Sequence, residues 1–129
     1  MTTPRFYTVE EANAALPRLR VIVAQQMERI AALESRRKVH AAASEGGDPA
    51  AREALIKEYE DGWREVEAMG VVVKDPRIGL LDFYGKVDGR VVWLCWKYGE
   101  ETVAHYHDLD AGFAGRKPLA GAPLRALLN

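Results

Sequence analysis

The stretch "GLLDFYGKVDGRVVWLCWKYG", residues 79–99, constrains the fold more than any other part of the chain. Asp88-Gly89 is the favoured pair for a two-residue type I′ turn, which needs positive φ at both positions, and both flanks are rich in β-branched and aromatic residues. With these two residues as the turn, Val87 faces Arg90 and the pairs count outward: Tyr84 with Trp93, Asp82 with Cys95, Leu80 with Lys97. Side chains alternate between the two faces of a sheet. One face then carries Leu81, Phe83, Val92, Leu94 and Trp96, and this uniformly apolar side is assigned to the core. The other carries Asp82, Tyr84, Trp93, Cys95 and Lys97, and is expected to look outward.

A third strand, about residues 102–107, follows the "GEE" turn. A three-residue loop, Gly99 to Glu101, sets His105 opposite Cys95 and His107 opposite Trp93, on the outward face. A two-residue loop turns both histidines to the core, because a slip of one residue reverses every side chain. The register stays open at this level, but His105 and His107 share a face in either case. "GVVVKDP", residues 70–76, reads as a short strand ended by Pro76.

The first half is helical. Thr8 is a good N-cap, and Glu11 three residues later completes a capping box. Pro17 is expected to end this helix near residue 15 or to kink it. From there Leu16, Leu19, Val23, Gln26, Ile30 and Leu33 step by threes and fours, a heptad seam. Gly46 and Gly47 break the helix. Asp48 caps a second one, with Pro49 at its first position and Gly70 after its end near Met69. Leu55, Tyr59, Gly62, Val66 and Met69 form its seam. Gly62 costs about 1 kcal/mol relative to Ala inside a helix, so close approach of the partner helix is its expected reason.

These readings combine into one α+β domain over residues 1–129. A long antiparallel helical hairpin, about 8–69, packs on a small antiparallel meander of 3–4 strands. The meander and a C-terminal loop occupy about 71–129, and "LRALL" is expected to add a final turn.

Composition narrows the partners. The chain of 129 residues has 18 basic and 19 acidic residues and a formal net charge of −1. No global field draws it to nucleic acid or an anionic surface. Basic residues are sparse around Trp93 and Trp96, and "RRK" at Arg36–Lys38 reads as a solvated helix face, so nucleic acid is not an expected partner. No apolar run is long enough to span a bilayer. The lone Cys95 excludes an intrachain disulfide and an all-cysteine zinc site. Together with an N-terminus that lacks the order of a signal peptide, it points to a reducing cytoplasm.

"HYHDLDAGFAGR", residues 105–116, gathers the residues that carry chemistry. His-x-His on a strand aims two imidazoles the same way, and Asp82 or Cys95 would supply a third ligand to a divalent metal such as zinc. The alternative is histidines spent on packing and hydrogen bonds. "DLDAG" starts like a calcium loop but lacks the later ligands. Cys95, mid-strand between Leu94 and Trp96, reads as an inert small hydrophobe before it reads as a nucleophile. Asp82 with Glu100 or Asp108 is the available carboxylate pair. Arg116 is a candidate anion contact.

Four blocks, "FYTVEEANAALPRLR", "VKDPRIGLLDF", "GRVVWLCWKYGE" and "HDLDAGFAGRKPL", resemble in this order a family of small uncharacterised bacterial proteins, domain of unknown function 2203. The resemblance covers nearly the whole chain. Its pattern falls here on Glu11, Ala12, Asn13, Leu16 and Pro17, then on Lys74, Asp75, Gly79, Leu80, Asp82 and Phe83. It continues through Gly89, Arg90, Leu94, Cys95, Trp96, Gly99 and Glu100 to Tyr106, His107, Gly112, Phe113 and Arg116. The aromatic before the histidine is often Trp in that pattern and is Tyr106 here. His105 lies outside it, so the resemblance supports His107 rather than the His-x-His pair. It implies no activity, only that Asp82, Glu100, His107 and Arg116 belong to a shared pattern.

The expected function is that of a non-catalytic interaction or structural module, homodimeric through its helices or its sheet. The alternative is a metal- or small-ligand-binding protein, conceivably a hydrolase, with its site around His107. That site would use Asp82, Glu100, His107 and Arg116 for a ligand, or His107, His105, Asp82 and Cys95 for a metal.

Overall fold

The computed structural model describes residues 5–42 and 48–119, and only the backbone of residues 38–42. The capping box forms as its residue types dictate. The Thr8 backbone N–H donates to Glu11 Oε1 at 3.0 Å, and the Glu11 N–H donates to Thr8 Oγ1 at 3.0 Å. Helix α1 (Val9–Ala42) starts there and runs through Pro17 without a break. Of the two expected outcomes, an end near residue 15 does not occur and a single helix passes through Pro17. Pro17 sits on the exposed side between buried Leu16 and Leu19, and packing across it outweighs a cost of about 3 kcal/mol for proline inside a helix.

Helix α2 (Pro49–Ala68) has Asp48 as its N-cap, accepting from the Ala50 N–H at 3.0 Å, and Pro49 in its first turn. It ends at Gly70, whose φ of 81° only glycine adopts without strain. Arg18 pairs with Glu65, Gln26 with the Tyr59 carbonyl and Arg29 with Glu58. Partners fall along α2 as they rise along α1, so the helices run in opposite senses. Gly62 meets α1 at buried Gln26: a Cβ at Gly62 would lie no more than 2.8 Å from the Gln26 carboxamide carbon, oxygen and nitrogen.

The chain then forms β2 (Val71–Asp75), β3 (Leu80–Val87), β4 (Arg90–Lys97) and β5 (His105–His107). Two further short strands, β1 (Phe6–Tyr7) and β6 (Lys117–Pro118), complete a six-stranded sheet. This corrects the expected meander of 3–4 antiparallel strands. β1 lies parallel to β3, on the same edge that β2 pairs further along, and makes the sheet mixed. Two-residue strands carry no readable alternation, which is why the sequence does not announce β1 and β6. The Tyr7 hydroxyl also donates to the Met69 carbonyl, tying β1 to the end of α2.

The β3–β4 register is the expected one throughout, from Val87↔Arg90 to Leu80↔Lys97, with Asp88 at φ 53° and Gly89 at φ 78° in the turn. The expected core face is the core. Leu81, Phe83, Val92, Leu94 and Trp96 are fully buried and cluster with Leu16, Leu19 and Val23 of α1 and with Trp63 and Val66 of α2. Strand β5 is shorter than expected because the residues before it leave the ladder. The Val103 N–H donates to Asn13 Oδ1 on α1 at 2.8 Å, and the Ala104 carbonyl accepts from the Leu119 N–H. The expected final turn at 124–128 and the helix-breaking Gly46 and Gly47 lie outside the described residues.

Candidate functional site

The register of β5 settles which way the histidines point. His105 pairs with Cys95 and His107 with Trp93, so both project from the face opposite the helices. On that face the row Val72, Asp82, Cys95, His105, Pro118 crosses five strands. The expectation that Asp82 and Cys95 look outward is right for direction and wrong for exposure. Asp82 is 1 % exposed, Cys95 0 % and His107 3 %. Side chains of the face cover one another: Lys74 lies over the Trp93 ring, and Tyr84 packs on Trp93 with ring centroids 4.3 Å apart.

His107 reaches diagonally across β4. Its Nε2 lies 2.9 Å from Asp82 Oδ2, and its Nδ1 lies 3.0 Å from the Asp108 carbonyl oxygen. A carbonyl oxygen only accepts, so Nδ1 carries a proton and donates. On a neutral imidazole Nε2 is then a lone pair, set against a carboxylate that also offers lone pairs. The contact holds only if a positive species lies between them, either a shared proton or a cation. Burial raises the pKa of Asp82, with the His107 charge opposing, which favours a proton in this pair. Asp82 Oδ1 is buried with no hydrogen-bond partner among the described residues, as are Trp63 Nε1 and Thr102 Oγ1.

Cys95 completes the group. One donor atom from each of Asp82, Cys95 and His107 lies within 4.8 Å of the others. Burial first, and the Asp82 charge second, push the Cys95 thiol far up. Both His107 nitrogens are engaged, by Asp82 and by the Asp108 carbonyl, so the group beside the sulfur is the Asp82 carboxyl, whose negative charge disfavours a thiolate.

Glu100, His105 and Arg116 form a second group beside the first. Arg116 donates to Glu100 Oε2 at 2.5 Å and contacts His105 Nδ1. Burial, and then the Arg116 charge, lower the pKa of His105, with Glu100 opposing. Glu100 Oε1 accepts from the Lys97 N–H at 2.7 Å, and the Glu100 carbonyl accepts from Trp96 Nε1 at 3.0 Å. This group braces the chain between β4 and β5. The sequence-derived candidates thus divide: Asp82, Cys95 and His107 converge, whereas Glu100, His105 and Arg116 are spent on one another. The role of the Asp108 carbonyl had no sequence signal, since any residue type would supply it. Asp108 as a carboxylate pairs instead with Arg90 and Lys117.

A family model described as "Uncharacterized conserved protein (DUF2203)" matches residues 5–119. No curated protein and no solved structure matches the chain.

Proposed function

Because the chain belongs to the DUF2203 family, which brings a pattern but no activity, we propose from the site itself that the protein binds one divalent metal of the zinc class. Its ligands are Asp82, Cys95 and His107. The observation that carries this is the imidazole held by the Asp108 carbonyl, with Nε2 turned to a buried carboxylate and a thiol close by. A metal-bound histidine typically donates its other N–H to a carbonyl or carboxylate. A mixed N, O, S set suits zinc better than magnesium or calcium. Bonds of about 2.0–2.3 Å in a tetrahedron put donors roughly 3.3–3.8 Å apart, so the 2.9 Å contact opens by less than an ångström. The ion replaces the shared proton and the thiol proton. Exposures of 0–3 % leave little access for a substrate, and three protein ligands leave one coordination position unfilled, so a sensing site fits better than a hydrolase, and a free thiol ligand fits a reducing cytoplasm.

The test is metal analysis of protein purified without a metal-affinity tag, followed by cobalt(II) titration. One zinc per chain is expected, with a thiolate-to-cobalt absorption band that Cys95→Ser abolishes. No metal, no band and no thermal shift with zinc would sink the reading.

A second reading, a homodimeric interaction module, is favoured by the outer end of α1. There the seam residues Ile30 and Leu33 are only half-buried, whereas Leu16, Leu19 and Val23 are consumed by this chain's own core. Sedimentation that shows only monomer at micromolar concentration would reject it.

A further inference from the structure

The face that carries the metal ligands holds a second feature, independent of them. Phe6, Tyr84, Trp93 and His107 stand at one register level across β1, β3, β4 and β5. The first three form a continuous aromatic row, with ring centroids 5.5 Å apart for Phe6–Tyr84 and 4.3 Å for Tyr84–Trp93. Phe6 is 51 % exposed, and Tyr84 is partly exposed. An ammonium group stands at each end of the row: Lys74 Nζ is 4.4 Å from the Trp93 ring centroid and Lys86 Nζ is 5.6 Å from that of Phe6. Lys74 shares this face with Val72, two residues before it on β2, as strand alternation requires. Lys97, paired with Leu80, adds a third cation to the same face.

On the helices Arg18, Arg29, Lys57 and Arg64 pair with carboxylates, whereas Arg36, Arg37 and Arg52 have none within 4.0 Å among the described residues, so it is the nearby aromatic rings that distinguish the cations of the sheet face. Among the described residues, Lys74, Lys86 and Lys97 have no carboxylate within 4.0 Å. The acids near this face are occupied: Asp82 by His107, Glu100 by Arg116, and Asp108 by Arg90 and Lys117. Asp88 stands at the turn. Along the sequence these lysines are scattered, and only the fold brings them to the rings.

From this we infer that the sheet face opposite the helices binds single-stranded nucleic acid, stacking bases on Phe6 and Tyr84 and setting phosphates against Lys74, Lys86 and Lys97. Exposed rings on adjacent strands accept bases of any sequence, and flanking cations track the backbone. A duplex hides its bases and cannot use the rings. The site stands whether or not the metal binds.

Fluorescence anisotropy with a labelled short oligothymidylate and an oligouridylate of the same length tests it, with duplex DNA and heparin as controls. Single strands are expected to bind at low salt and to outcompete duplex and heparin. Binding of only one of the two strands supports the inference and names the sugar. Phe6→Leu keeps an apolar residue in β1 but removes the stacking surface, and is expected to weaken binding about five-fold or more. Lys74→Gln with Lys86→Gln is expected to weaken binding and to lower the salt slope by about 1.4, at roughly 0.7 per phosphate contact on single strands. Circular dichroism and the thermal midpoint confirm that each variant folds. No binding, equal binding of duplex or heparin, or a Phe6→Leu variant that binds like the parent would overturn it.

Discussion

Gly62→Ala is the sharpest test of how the two helices meet. Alanine in a helix interior is worth about 1 kcal/mol over glycine, so an exposed site would gain stability. At Gly62 the new methyl would sit within 2.8 Å of the whole Gln26 carboxamide. Gln26 is fully buried, donates to the Tyr59 carbonyl at 2.6 Å and accepts from Arg29 Nη1 at 2.6 Å. Displacing it breaks two hydrogen bonds, one of them charged, in a place water does not reach. At about 1–3 kcal/mol for each of the two buried groups left unsatisfied, the loss is roughly 2–6 kcal/mol. Net of the helix gain of about 1 kcal/mol, Gly62→Ala destabilises by about 1–5 kcal/mol. Urea unfolding followed by circular dichroism reads this as a lower midpoint at an unchanged slope. In a Gln26→Ala background the obstacle is gone, and Gly62→Ala is expected to be neutral or to stabilise by up to about 1 kcal/mol. A single Gly62→Ala variant as stable as the parent, or the same effect in both backgrounds, would refute the close-approach argument.

Glu11→Gln probes the capping box. The Thr8 backbone N–H first, and its hydroxyl contact second, hold the Glu11 carboxyl below its ordinary 4.5. The unfolded chain therefore binds the extra proton, and the contribution is present above about 4.5 and fades as pH falls through the lower folded value. The variant's thermal midpoint should lie below the parent's at neutral pH and converge with it in acid; a constant gap would count against the linkage. Gly89→Ala and Gly79→Ala separate backbone strain from collision. Both have positive φ, but nothing lies within 4 Å of a Cβ at Gly89, whereas at Gly79 it meets Tyr98 Cβ at 2.7 Å and Val23 Cγ1 at 2.8 Å. Gly89→Ala should cost about 1–2 kcal/mol and Gly79→Ala clearly more, and equal shifts in scanning fluorimetry would contradict this. Asn13→Ala removes the acceptor of the Val103 N–H, and is expected to cost about 1–3 kcal/mol and to speed amide exchange at Val103; Asn13→Asp, which keeps an oxygen there, should retain most of the protection.

Local rules explain how much of this was legible from residue order. Thr8, Glu11, Asp48, Pro49, Gly70 and the Asp88-Gly89 turn each act over a few neighbours, so their outcomes could be read directly. The β3–β4 register followed from the turn alone, and the core face from alternation. At Pro17 residue order left a broken helix and a single kinked one both open, because the packing of Leu16 and Leu19 that favours a single helix is not local. β1 and β6 were invisible because two residues make no pattern. At the site, Asp82, Cys95 and His107 were all legible as candidates, but their separation from His105, Glu100 and Arg116 depended on a loop whose length did not fix the register. The lysine–aromatic row was illegible for a related reason: a parallel strand at Phe6 and the pairing of β2 with β3 at Lys74 assemble it from three distant segments.

The parallel strand also sets an order of events in time. The β3–β4 hairpin needs only its two-residue turn and can form on a scale of about 1–10 μs. β1 cannot gain its ladder until β3 exists and both helices have turned back, since Phe6 meets Tyr84 from the far end of the described chain. Contacts that arrive so late are mostly absent from the folding transition state. Weakening Tyr7, which joins β1 to β3 and to the Met69 carbonyl, should therefore accelerate unfolding and leave the folding rate nearly unchanged. On that expectation Tyr7 serves as a latch, setting how long the fold lasts once made rather than how quickly it is reached.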